Sequence, residues 1–284
     1  MNFKKISILC SLAAACFWGS CDIINPEEQQ PTYVRIDSFA FEPGVNTGTS
    51  SQRITSVWAY LNGQILGAFD LPATIPVLAD EPSELLLRAG VMYGGISDIL
   101  IPYPFFRGDT MTLTPTPGEI INFTPKTRYF SEDLLNFINE DFELGNSFTL
   151  VYGDTTLERT SDPSLVFEGD FSGHIEFNNH KFAEYVMTTS FTSSGSAGTF
   201  AEINYRGSLP FDVGITTTNS GGQAVSQYLF TYRAREDWNK VYVGMQDFIN
   251  AYPNRPYRLL IRVYSAEPTQ GYVSLDNIKV VNFR

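Results

Sequence analysis

What the chain lacks excludes more functions than what it holds. It has three cysteines, Cys10, Cys16 and Cys21, and none afterwards, so the body of the protein can form no disulfide and offers no thiol nucleophile. Its two histidines, His174 and His180, lie in the run HIEFNNH, which matches neither HExxH nor a paired Cys/His spacing, and a zinc centre is thereby excluded. There is no GxSxG elbow for a serine hydrolase and no phosphate-cradling glycine loop. Cations are scarce: 19 Lys and Arg stand against 31 Asp and Glu, a formal charge of −12. A surface so acidic repels phosphate backbones, which argues against nucleic-acid binding and against electrostatic adhesion to anionic lipid. Long apolar runs are missing too. The longest, Ile6 to Trp18, is about 13 residues, short of the roughly 20 a helix needs to cross a bilayer.

That run follows Lys4 and Lys5 and precedes Gly19-Ser20-Cys21, the order of a secretion signal. Small-small-Cys resembles the lipobox of bacterial lipoproteins, although Trp18 stands where that family usually has Leu. The resemblance implies cleavage after residue 20 and acylation of Cys21. The expectation is an exported chain, held at the outer membrane by lipid and facing the cell surface. The alternative is an ordinary signal cut elsewhere. Residues 21–32, with two prolines and no period, read as an extended tether. Asp22 and Glu27-Glu28 resemble the acidic signals that route Bacteroidota lipoproteins to the surface, or are a solvated stretch.

What is present is strand-forming. Phe (22) and Tyr (15) recur with Val and Thr in short runs broken by Gly, Pro, Asn and Asp. The expected fold class is all-β, an Ig-like β-sandwich followed by a jelly-roll β-sandwich. Residues 33–128 supply the first, with Asn62-Gly63 between two alternating runs as a type I′ hairpin. The order strand, Asn-Gly, strand, LPATIPVL, strand, RAGVMYGG resembles Ig-like or PEGA-like modules of surface lipoproteins. Residues 129–140 read as a connector with a helical turn over Ser131–Ile138, because Ser131 is a good cap and acids follow it. Residues 141–284 supply the second unit, with strands expected at 164–167, 181–190, 199–205, 211–217, 227–233, 241–248, 257–264 and 271–281.

DFELGN at 141–146, FAEINYRGSLPFDVGI at 200–215, WNKVYVGM at 238–245 and GYVSLDNIKVV at 271–281 resemble galactose-binding-like jelly rolls of secreted glycan-binding proteins. They also resemble Bacteroidota lipoproteins that join such a domain to an Ig-like one. The resemblance implies a non-catalytic carbohydrate-binding role. It also implies a structural Ca²⁺ between Glu143 and Asp276, positions that match a ligand pair of some such modules; the alternative is that Asp276-Asn277 caps a strand edge and Glu143 is solvated. In AEINYR, alternation puts Glu202, Asn204 and Arg206 on one sheet face, either as a sugar-contacting row or as a solvated outer face. Arg233, Arg235 and Trp238 form a second cluster. Asp109-Thr110-Met111 and Asp154-Thr155-Thr156 resemble Bacteroidota O-glycosylation acceptors. Three functions remain open, in this order: a surface glycan-binding protein, an accessory lipoprotein docking to an envelope protein complex, and an enzyme, since a glycosidase needs only two well-placed carboxylates and the chain has 31 acids.

Overall fold

The protein is described here from a computed structural model covering residues 28–96, 98–131, 133–193 and 198–284. Cys21 and the leader lie outside the described residues, as does most of the tether.

The chain is almost wholly strand. In the N-terminal unit β1 (Thr32–Ile36) and β2 (Ala40–Phe41) are separated by a break at Asp37–Phe39. β3 (Ser56–Leu61) and β4 (Gln64–Asp70) form the Asn-Gly hairpin, with φ of 49° at Asn62 and 81° at Gly63, as a type I′ turn requires. β5 (Ala73–Val77), β6 (Ser83–Met92), β7 (Leu100–Pro102), β8 (Asp109–Leu113), β9 (Ile120–Asn122) and β10 (Lys126–Thr127) complete the unit. One sheet runs β5-β1-β9, a second runs β4-β3-β6 with β7 and β8 both on β6, and β10 and β2 form a two-stranded third. Alternation along β1 and β6 sends Val34, Ile36, Leu85, Leu87 and Ala89 inward between them.

β11 (Leu135–Glu140) occupies the segment expected to be helical. Ser131 does nucleate one turn, its carbonyl accepting from the N–H of Leu134 and Leu135. From Leu135 the period becomes two, and tertiary pairing with the last strand overrides the cap signal. β12 (Phe148–Gly153) and β13 (Leu157–Thr160) follow, and then β14 (Ser172–Met187). Residues 164–167, expected as a strand, instead form a turn in which Asp162 accepts from the backbone N–H and hydroxyl of Ser164. β15 (Thr199–Gly207), β16 (Phe211–Thr218), β17 (Ala224–Tyr232) and β18 (Arg235–Gly244) lead to α1 (Gln246–Ala251), where the strand expected over 241–248 had been carried too far. β19 (Tyr257–Phe283) joins the two expected C-terminal strands into one of 27 residues.

β14 pairs along almost its full length with residues 260–275 of β19, and register shifts near Asn178, His180 and Phe182 bend the pair. Their two halves therefore belong to different layers. One layer is β17-β16-β19-β14-β12, using Tyr257–Tyr264 and Phe182–Met187; the other is β18-β15-β19-β14-β13, using the far halves, with β11 beside the end of β19. Ile175, Ile203, Val241 and Leu275 from one layer meet Tyr185, Val213, Leu259 and Ile261 from the other in one core. This is a jelly-roll-like β-sandwich whose corners are made by strands that change layer. No helix among the described residues is long and apolar enough to cross a membrane.

The two units share a core. The outer face of the second layer contributes Phe200, Tyr242, Val281 and Leu135 to the apolar cluster of the N-terminal unit. There Tyr103 packs edge-on against Phe200 and Tyr242, with ring centroids 5.4 and 4.9 Å apart. Thermal unfolding followed by far-UV and near-UV dichroism is therefore expected to show one coincident transition. Phe200→Ala, which empties the junction, is expected to cost about 3–5 kcal/mol in a denaturant titration; two resolved transitions would contradict the shared core.

Candidate functional site

Alternation does put Glu202, Asn204 and Arg206 on one face of β15, but that face lies under the N-terminal unit. Glu202 is fully buried and Asn204 nearly so. Glu202 Oε1 accepts hydrogen bonds from Tyr103 Oη (2.8 Å) and Tyr129 Oη (2.6 Å), both reaching across from the N-terminal unit. Lys240 Nζ lies 2.9 Å from its other oxygen. Lys279 Nζ donates to Tyr129 Oη at 3.1 Å. Asn204 donates to Ser51 Oγ at 2.8 Å. Only Arg206 reaches the surface, and its guanidinium is spent on the Ser164 carbonyl (2.7 Å) and Tyr272 Oη (3.2 Å). The trio is not a sugar-contacting row. Two of its members hold the junction together.

Burial alone would push the Glu202 carboxyl up, but Lys240, Lys279 and the Tyr129 hydroxyl together hold it below the usual range. Burial brings Lys279 down to about 8, with Lys240 adding to the shift and Glu202 opposing it. Tyr103 and Tyr129 are pushed well up by burial and by the charge of Glu202.

Glu143 and Asp276, the pair expected to hold Ca²⁺, each have hydrogen-bond donors in the structure. Both grip the 167–172 loop through N–H and O–H donors. Glu143 Oε1 accepts from the N–H of Asp170 (2.9 Å) and Phe171 (3.0 Å). Asp276 Oδ2 accepts from Ser172 Oγ (2.6 Å) and the N–H of Glu168 (3.2 Å), and its Oδ1 accepts from the N–H of Asn277 (2.7 Å). A Cβ at Gly169 would come within 2.2 Å of Glu143 Oε1, so the glycine is what lets this carboxylate approach. These donors are enough to keep both carboxylates charged and placed, and no group of three or more His, Cys, Asp or Glu that could hold a metal gathers among the described residues. The loop is held by hydrogen bonds where an ion was expected.

The first layer of the jelly roll has a face that no other unit covers among the described residues, and sequence reading passed over it. Register aligns Tyr152, Glu184, Arg262, Asp212 and Thr231 in one row across β12, β14, β19, β16 and β17. Four strand spacings make the row about 19 Å long. Arg262 Nε donates to Asp212 Oδ2 (2.7 Å), Thr231 Oγ1 donates to Asp212 Oδ1 (2.6 Å), and Tyr228 Oη donates to Glu184 Oε2. The guanidinium lies 3.5 Å above the Tyr228 ring centre. The ring can lie down because its cross-strand neighbour is Gly214, where a Cβ would meet Tyr228 Cδ1 at 3.1 Å. Burial raises the Glu184 carboxyl while Arg262 pulls it back.

Beside the row, Phe182 and Tyr264 are cross-strand partners, and Tyr152 stands edge-on to Phe182 at 5.2 Å. Tyr152 and Tyr264 are 69% and 55% exposed. Tyr152 and Phe182 border an open depression of about 600 Å³ that also takes in Asp154, Asn179 and Lys181. Exposed rings beside a fixed carboxylate–guanidinium–hydroxyl row can stack on an apolar ring face and satisfy hydroxyls around it. The second cluster expected from sequence divides: Arg233 and Arg235 are exposed, while Trp238 packs on Phe167 with ring centroids 5.2 Å apart.

No protein-family model matches the chain, and no curated protein matches it. Solved structures do, over about half its length. TmCBM61, solved with β-1,4-galactotriose, is 10% identical over 49% of this chain and 92% of its own, with a TM-score of 0.35. The C-terminal family 22 carbohydrate binding module of Clostridium thermocellum Xyn10B is 10% identical over 50% and 90%, with a TM-score of 0.37. The CBM22-1 xylan-binding domain of Paenibacillus barcinonensis Xyn10C is 14% identical over 51% and 92%, with a TM-score of 0.36. The jelly-roll description rests on the strand pairing itself.

Two outcomes follow from the buried groups. Glu202→Gln removes the anion between two buried lysines and is expected to cost roughly 3–5 kcal/mol in a denaturant titration; Lys279→Met, which removes one of two mutually repelling cations, should cost less. Burial pushes the Asp276 carboxyl from 3.8 to about 6, against the pull of its hydrogen bonds. Between those values the folded state holds a proton that the unfolded state has released. Stability from this group therefore falls as pH rises from about 4 to about 6, by about 3 kcal/mol, and is level above. Denaturation at a series of pH values should show that slope in the parent and lose it in Asp276→Asn.

Proposed function

We propose that this chain is a non-catalytic glycan-binding protein whose contact surface is the uncovered jelly-roll face bearing Tyr152, Glu184, Arg262, Asp212 and Tyr264. One observation carries the reading: exposed aromatic rings border a polar row whose side chains are already fixed by one another. Arg262 is stacked and paired, so little rotamer freedom is lost when a hydroxyl docks against it. Affinity for neutral sugars would come from stacking at Tyr152 and Tyr264, and orientation from the row.

Export and lipid anchoring complete the proposal. Acylation of Cys21 after removal of residues 1–20 would hang the protein from the outer membrane on a short tether, in the manner of Bacteroidota surface lipoproteins, with several acyl chains giving stable attachment. A second reading, docking to an envelope protein complex, has in its favour the exposed Ile65 and Leu66 on edge strand β4.

Affinity electrophoresis against a panel of neutral polysaccharides, with calorimetry on any that retard migration, tests the binding reading. Tyr264→Ala and Arg262→Ala are each expected to weaken binding at least tenfold, with Tyr264→Ala leaving the melting temperature nearly unchanged because its ring is exposed. No retardation by any member of the panel would remove the proposal. Intact mass of the membrane-extracted protein should show an acylated N-terminal Cys21, and Cys21→Ala should release the chain from the membrane fraction.

A further inference from the structure

The N-terminal unit carries a second arrangement, distinct from the open jelly-roll face. An antiparallel bridge between Phe106 and Tyr129 sets Arg107 directly opposite Arg128, and the Arg107 N–H donates to the Arg128 carbonyl at 2.8 Å. Like charges directly opposite on paired segments are destabilising. Among the described residues neither guanidinium has an ion-pair partner, although acids outnumber bases in the chain. Of the nearby carboxylates, Asp109 accepts the N–H of Thr110 and Lys126, Glu42 pairs with Lys126 Nζ at 3.2 Å, and Asp133 makes no ion pair with either arginine. Arg107 Nε is buried with no acceptor, a donor left unpaired at a cost. Its guanidinium is held 5.5 Å from the Phe130 ring centre.

Two adjoining depressions, of about 340 and 350 Å³, are both lined by Arg107 and Arg128, with Phe130 and Asp133 in the first and Lys126, Glu42 and Asp109 in the second, where Lys126 binds both acids, one through its ammonium and one through its backbone N–H. Each is of a size that holds a small ligand. From the facing arginines, the orphaned Nε and the paired depressions we infer that Arg107 and Arg128 form an oxyanion site for an acidic sugar, whose carboxylate or sulfate bridges the two guanidinium forks while its ring lies against Phe130. A planar fork matches such a group bidentately, and the bound anion would remove the repulsion between the two cations. Asp133, on the rim, sets a limit: a ligand with charges on both sides is repelled there. Glycan as the carrier rests on the binding reading above; the oxyanion chemistry does not.

Thermal shift and calorimetry on the full mature chain test the site, using tri-galacturonate, dextran sulfate, neutral dextran and poly-glutamate as probes. Tri-galacturonate or dextran sulfate is expected to raise the melting temperature, and whichever of them does so identifies the oxyanion. The affinity should fall at least tenfold in Arg107→Gln and in Arg128→Gln, and persist in Tyr264→Ala. Arg128→Gln without ligand should melt no lower than the parent, because one of two facing charges has gone; this separates lost binding from lost folding. Binding that survives both arginine variants overturns the inference, as does a shift with poly-glutamate alone or with neither acidic glycan. If the neutral panel fails against the open face while an acidic glycan still depends on Arg128, the earlier reading falls and this one stands.

Discussion

One carboxylate, Glu202, governs how the two halves of the molecule meet. It is fully out of water, and it is kept charged by Lys240 and Lys279 from its own sheet and by two tyrosine hydroxyls from the neighbouring unit. Such a group is costly to bury and harmful to leave half satisfied. Hydroxyls at the tips of Tyr103 and Tyr129 must therefore arrive at one position, and their rings then set the aromatic packing with Phe200 and Phe106. The apolar surface supplies the driving force, while the buried charge selects the register.

This junction decides which jelly-roll face is available. A two-layer sandwich has two outer faces, and the N-terminal unit occupies the one built on β15 and β18. The other keeps its exposed tyrosines and its row of fixed polar groups. The N-terminal unit is thus a fitted cover, sharing a core with what it covers, and not a stem joined by a linker.

Sequence reading went as far as local rules reach. Asn62-Gly63 marked its turn because both residues accept positive φ, and short runs of Val, Tyr and Phe marked an all-β chain. Alternation in AEINYR correctly grouped Glu202, Asn204 and Arg206; nothing in six residues says that another unit will sit on them. Ser131 signalled a helix that lasts a single turn, since the pairing partner that wins, Leu135 with Phe283, is about 150 positions away. The open face was harder to see. In RLLIRVY at 258–264 outward Arg262 and Tyr264 alternate with buried Ile261 and Val263, but Leu260, on the outward face, is buried too, which blurs the period. Glu143 and Asp276 show the opposite case, where residue types fit for a cation turned out to be acceptors for backbone N–H groups.

β19 has a consequence for how the molecule is made. It lies at the centre of both layers, flanked by β14, β15, β16 and β11, and every one of those partners precedes it in the chain. β14, β15 and β16 can meet their other neighbours, β12 and β13, β18, and β17, as soon as those are made, but each lacks its central partner until β19 is present. Neither layer can close before its last strand is made, and until then the strand edges that β19 will cover stay open, the costliest arrangement for a chain that must avoid pairing with its neighbours.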